Sequence, residues 1–191
     1  MDDFKFFLPL QKEAEDWLVG IASTLSVDRD TERMSENALT DMRNQIITSG
    51  VNLFGNHQHD WENTLGVIKE ASLNNNQLGI KIFLDSEETN NKVKMLKEKL
   101  KRGIKLGLSV GGSVTKVREE YNKELHTKVK VIDGVKLYEV SVVGIPSNAD
   151  SFLSLPQAIS KSLTLNNKRC NCCYSKIENK CPVCLWSKDG I

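Results

Sequence analysis

The chain has 191 residues, 39% of them hydrophobic and 27% charged, which gives one ordinary domain with a small appendage and excludes wholesale disorder. Its 26 basic residues stand against 25 acidic ones, a net charge of +1, so no overall field draws it onto nucleic acid or an anionic membrane. No apolar run reaches the length of a membrane span, and Met1-Asp2-Asp3-Phe4-Lys5 lacks the basic start and long apolar stretch of a signal peptide, so a cytosolic protein is expected.

Residues 4–27 read as strand-rich, with Trp17 to Ala22 short, apolar and β-leaning. Val27 to Thr31 is a polar loop. Ser35 is a plausible N-cap for a helix whose apolar positions Ala38, Leu39, Met42 and Ile46 keep helical spacing, and Gly50 ends it. Val51 to Phe54, Leu65 to Ile68 and Leu78 to Leu84 are short strands, with a turn at Asn74-Asn75-Asn76. Glu87 to Lys101 is the clearest helix: Val93, Leu96 and Leu100 mark one face, lysines form a solvated one, and Gly103 stops it.

Leu106 to Thr115, Leu125 to Ile132 and Lys136 to Gly144 read as strands, with Asp133-Gly134 as a hairpin turn between the last two. Pro146-Ser147-Asn148 closes the series. About six to eight strands with two main helices predict a mixed α/β, mainly β fold, a β-barrel or strongly curved sheet flanked by helices. The domain is expected over residues 1–155. Residues 156–169 are Ser-, Asn- and Lys-rich and read as a linker.

Three segments carry side chains suited to acyl transfer. Gly107-Leu108-Ser109-Val110-Gly111 sets one hydroxyl between glycines that allow a sharp turn, as an exposed nucleophile needs. Asn56-His57 offers an imidazole, and Tyr138-Glu139-Val140-Ser141 a carboxylate. Singly, each has an ordinary explanation: a turn serine, a loop histidine, an edge charge that blocks aggregation. His59 follows His57 closely enough to compete for the base role. His126, Ser113 and Ser141 read as structural or hydrogen-bonding residues, and Asp28 and Asp30 as loop-fixing ones.

In order along the chain, these segments resemble the prohead proteases of tailed bacteriophages, capsid-maturation serine proteases related in fold to the herpesvirus assembly protease. The resemblance covers about residues 17–155. It runs through Gly20 to Thr24, Val27 to Asp30, Leu53-Phe54-Gly55-Asn56-His57, the Ser109 segment, and Glu139 to Asn148. It implies His57 as the catalytic histidine, Ser109 as the nucleophile and Glu139 as the third member. Oxyanion donation falls to an amide of Val110, Gly111 or Gly112. The chain departs from the family at Gly112, where a bulky residue is common.

The same resemblance implies a serine endopeptidase that cleaves capsid or scaffold protein, and itself, inside the assembling prohead in the bacterial host cytoplasm. A homodimer is implied by analogy with the herpesvirus relative. The alternative is a catalytically silent, scaffold-like assembly protein on the same fold.

All five cysteines lie between Cys170 and Cys184. So tight a cluster, odd in number, argues against a disulfide framework and for a metal. Cys170-Asn171-Cys172-Cys173 and Cys181-Pro182-Val183-Cys184 contain two C-x2-C pairs, so structural Zn²⁺ on Cys170, Cys173, Cys181 and Cys184 is expected over residues 170–186, with 187–191 as a tail. Cys172 can replace Cys170 in that set. The module suits docking to capsid or portal protein, or contact with nucleic acid through Lys168, Arg169, Lys176, Lys180 and Trp186. No cofactor is expected for catalysis, because an all-thiolate site leaves no open position for water.

Overall fold

The computed structural model describes residues 16–155. The expected linker, Cys170, Cys173, Cys181, Cys184 and the strand-rich reading of residues 4–15 lie outside the described residues.

Strand β1 (Trp17–Thr24) is buried on both faces, as its nearly unbroken apolar run demands. It pairs antiparallel with β5 (Gln77–Leu84) on one side and β8 (Phe152–Ser154) on the other. Strand β4 (Thr64–Asn74) joins β5 through Asn75 and Asn76, at φ 48° and 63°. Two successive left-handed residues make the turn whose twist matches the flanking strands, and asparagine tolerates that region.

Helix α1 (Glu36–Ser49) starts where the Ser35 hydroxyl accepts from the Ala38 amide and ends at Gly50, φ 69°. It buries Ala38, Leu39, Met42 and Ile46 against the sheet. Leu39, Met42 and Ile46 each contribute roughly 1.5–3 kcal/mol when removed from water, the Ala38 methyl less. Helix α2 (Asn91–Lys101) is shorter than expected. Residues 87–90 form a turn, because the Asn90 side chain accepts from the Lys92 and Val93 amides and so caps the helix later.

The eight strands form one sheet in the order β2-β7-β3-β4-β5-β1-β8, with β6 (Gly107–Asn122) paired to β7 (Thr127–Val143). The short β2 (Glu32–Met34) and β3 (Val51–Gly55) both run parallel to β7. Leu106 bridges to Leu153, so the sheet curls until β8 meets the start of β6. The mainly β curved sheet with two flanking helices agrees with the fold expected from sequence.

One local expectation fails here. Asp133-Gly134 is not a turn: β7 passes straight through it, and the hairpin reverses over residues 123–126, with His126 at φ 50°. The register slips on both sides of Lys116, opposite Gly134, and a Cβ on Gly134 would lie 2.6 Å from Thr115 Oγ1. The glycine therefore serves a bulge, and Asp133 holds the Arg118 guanidinium at 2.8 Å. Glu32–Met34, between the expected loop and the Ser35 cap, pairs with Lys130–Ile132. Among the described residues, no helix is long and apolar enough to cross a membrane.

Candidate active site

Glu139 lies in the middle of β7, between β6 and β3, and is 1% exposed. That placement removes the reading of an edge charge. Its neighbour across the ladder is Gly111, where any Cβ would collide with Glu139 Oε1. The missing side chain is therefore the space in which the carboxylate lies.

Both carboxylate oxygens are used. Oε1 is 2.6 Å from His57 Nδ1, and Oε2 accepts from the Ser141 hydroxyl at 2.6 Å. A carboxylate on one ring nitrogen fixes the proton there and leaves Nε2 as the acceptor. The His57 ring is held yet open, with its side chain 42% exposed against 2% for Glu139.

His57 follows the end of β3. Asn56 and His57 have φ of 52° and 58°, a left-handed pair that turns the chain over the edge of β7. Three hydrogen bonds stabilise that turn: Asn56 N–H to the Val142 carbonyl at 2.9 Å, His57 N–H to Ser141 Oγ at 3.0 Å, and Gln58 N–H to the Gly55 carbonyl at 3.1 Å. The glycine at position 55 ends the strand and the two polar residues after it take the unusual backbone.

Ser109 is half-buried and sits within β6, opposite Ser141. The sharp turn expected around it is absent: neither Gly107 nor Gly111 has positive φ, and the strand runs on to Asn122. Alternate residues of a strand share a face, so Ser109 projects on the same side as Gly111, the side that Glu139 covers. Among the described residues no hydrogen bond joins Ser109 to His57. Val110, Gly111 and Gly112 follow in the same strand, and the register slips between the two glycines. A cavity of about 240 Å³ flanks the segment, lined by Ser109, Gly112, Ser23, Asp28, Arg33 and Asn148 among others.

His59 Nε2 lies 3.6 Å from Glu139 Oε1, and its ring meets Phe54 edge-on at 5.5 Å between centroids. His57, His59 and Glu139 thus bring two imidazoles and a carboxylate within 4.8 Å of one another, a donor set that suits a transition-metal ion. The 2.6 Å contact between His57 and Glu139 is a direct hydrogen bond, shorter than the spacing of two ligands about a tetrahedral ion.

The other residues singled out from sequence have local roles. Ser113 Oγ bonds the Tyr138 hydroxyl at 2.7 Å, Asp28 Oδ1 accepts from the Asp30 and Glu32 amides, and Asp30 accepts from the Ser147 hydroxyl. The bridging place of Ser141 was not anticipated. Its signal was a hydroxyl among valines, one strand repeat beyond Glu139 and hence on the same face.

Sequence comparison gives two findings. The profile of the family described as Caudovirus prohead serine protease matches residues 20–168. A protein named Prohead protease, from Escherichia phage T5, is 30% identical over 148 residues. That match spans 74% of this chain and 63% of the relative, so the chain accounts for less than two thirds of the relative's length.

Proposed function

The chain belongs to the caudovirus prohead serine protease family, and from that premise we propose that it is a serine endopeptidase of capsid maturation. The observation that carries this reading is the 2.6 Å hydrogen bond from His57 to the buried Glu139, on the strand next to Ser109. In the proposed cycle His57 Nε2 takes the Ser109 proton as Oγ attacks the scissile carbonyl carbon. The proton then passes to the leaving amine, and an acyl-enzyme remains. Water, deprotonated by the same nitrogen, releases the acid and restores the serine.

Glu139 keeps the imidazole in the correct tautomer and stabilises the imidazolium. An amide of Val110, Gly111 or Gly112 is proposed as the oxyanion donor, and the slip between the two glycines supports it, because a slipped ladder frees backbone groups there. His57 is favoured over His59 as the base because its contact with Glu139 is shorter. The proposed substrates are capsid or scaffold protein, and the protease itself, within the assembling prohead. A homodimer and docking of the cysteine segment to capsid or portal belong to the same proposal, with Zn²⁺ on Cys170, Cys173, Cys181 and Cys184.

The test is co-expression of wild type or Ser109→Ala with the phage's major capsid protein, read by intact mass spectrometry. Fragments of capsid protein or of the chain itself in wild type, absent from the variant, uphold the protease. Equal masses in both, beside an active control pair, favour the silent assembly protein instead. His57→Ala and His59→Ala in the same assay distinguish the base: only the former is expected to abolish the fragments.

A further inference from the structure

Ser141 is 0% exposed in an apolar stretch of β7, where a hydroxyl gives no transfer benefit. Its oxygen makes two hydrogen bonds, and both end on the proposed catalytic pair. It donates to Glu139 Oε2 at 2.6 Å and accepts from the His57 amide at 3.0 Å. The first bond holds the carboxylate from the side away from the imidazole. The second holds the main chain of His57 at φ 58°, a backbone that a histidine adopts at a cost.

We propose that Ser141 is a positioning residue that fixes the carboxylate and the histidine relative to each other through one hydroxyl. The argument rests on the protease reading above. Glu139 has two lone-pair oxygens in a dry site, and a single imidazole N–H satisfies only one of them. Without Ser141 the other would be buried and unpaired, so the carboxylate would turn or hydrate and pull away from His57 Nδ1. The His57 amide would lose its acceptor in the same stroke. One substitution thus loosens both ends of a bond whose length sets the tautomer.

Two features argue against a role in folding alone. A residue that only filled the core here would be apolar and need no partner, whereas this hydroxyl is buried with two hydrogen bonds. The hydroxyl also has one partner on β7 and the other in the turn after β3, so it ties that turn to β7 at the site itself.

The experiment uses the purified full chain and a fluorophosphonate probe, which reports the reactivity of a serine nucleophile without need of the natural substrate. Labelling of wild type against Ser109→Ala first establishes that Ser109 is the labelled residue. Ser141→Ala is expected to cut the maximal labelling rate about 10- to 100-fold, the range seen when an outer hydrogen-bond partner is removed, with the half-saturating probe concentration unchanged. Ser141→Thr, which keeps the hydroxyl on a β-branched residue suited to a strand, is expected to recover most of it.

Urea midpoints of both variants separate loss of fold from loss of positioning. Wild-type labelling rates in folded Ser141→Ala overturn the proposal and leave the protease reading intact. If Ser141→Ala is unfolded, Ser141→Thr decides: near-wild-type labelling upholds the role, and a folded Thr variant that labels slowly overturns it. Absence of Ser109-dependent labelling in wild type overturns the protease reading, and the positioning role with it.

Discussion

A carboxylate taken out of water costs several kcal/mol unless its oxygens are paired, and Glu139 is paired at both. Glu139→Gln tests this at constant volume. An amide keeps the shape but offers the imidazole a donor as readily as an acceptor, so the wrong tautomer gains. The expected result is a fall in kcat of about 10³–10⁴ with the fold retained, measured on a peptide spanning a mapped cleavage site. Gly111→Ala tests the same pair from the other strand. The new methyl would collide with Glu139 Oε1, so the carboxylate must move or β6 must part from β7. A loss of roughly 1–3 kcal/mol in urea unfolding, with activity falling further than stability explains, is expected.

What could be read at this scale was uneven. Ser109, His57 and Glu139 were singled out through their order and neighbours, not through spacing. Nothing in a linear sequence says that positions 57 and 139 lie within one hydrogen bond. Gly111 looked like a turn residue because glycine permits a turn, whereas here it permits a carboxylate to approach. Ser141 was legible as a hydrogen-bonding residue and not as a bridge, since one partner sits on β7 and the other in the distant turn after β3.

Elements were better predicted where a local signal had one meaning. Ser35 and Gly50 bound α1 because a side-chain acceptor and a left-handed residue are each needed there. Asn75-Asn76 gave its hairpin for the same kind of reason. Asp133-Gly134 misled because a bulge and a turn both favour glycine, and only the partner strand decides between them. Helix α2 was placed too early because Glu87 and Glu88 suit a first helical turn as well as they suit the turn before the Asn90 cap.

Helix α2 also carries Lys97, 2% exposed, which bonds Asp16 at 2.8 Å and Glu87 at 2.6 Å. Burial pushes its ammonium down, and the Asp16 and Glu87 carboxylates more than reverse that, so its pKa lies above the ordinary lysine value. A raised folded-state pKa gives stability that is complete below the unfolded lysine value, about 10.4, and is lost as pH rises through the folded one. Lys97→Met keeps the apolar stem and removes the charge. It is expected to cost about 2 kcal/mol near neutral pH, and the gap to wild type should close only above about pH 10.5. Urea titrations of both chains from pH 7 to 11 measure it, and a gap that closes already near pH 8 contradicts the pairing.

At the scale of the molecule, the curled sheet explains why the proposed site needs most of the described chain. His57 follows β3, Ser109 sits in β6 and Glu139 in β7, and only β7 pairs with both of the others. The site is therefore assembled by long-range pairing, which a sequence reading reaches only through a family pattern. The cysteines from Cys170 to Cys184 all come after these residues in the sequence and lie outside the described residues.

The zinc proposal stands independently of the chemistry proposed at Ser109, by the nature of its ligands. Four thiolates close a tetrahedral site and leave no position for water, so a metal there stabilises without taking part in hydrolysis. Metal binding at such a site supplies about 10–16 kcal/mol at neutral pH, enough to fold a segment too short to rely on apolar burial. Full-length chain is expected to carry close to one zinc ion per chain by elemental analysis. Cys181→Ser combined with Cys184→Ser should remove it while Ser109-dependent fluorophosphonate labelling continues. Stripping zinc with a chelator at neutral pH should likewise leave labelling intact and free the thiols to a colorimetric reagent. A chain that holds no zinc when purified with metal present refutes the module, and labelling that falls with the metal refutes its independence from the site.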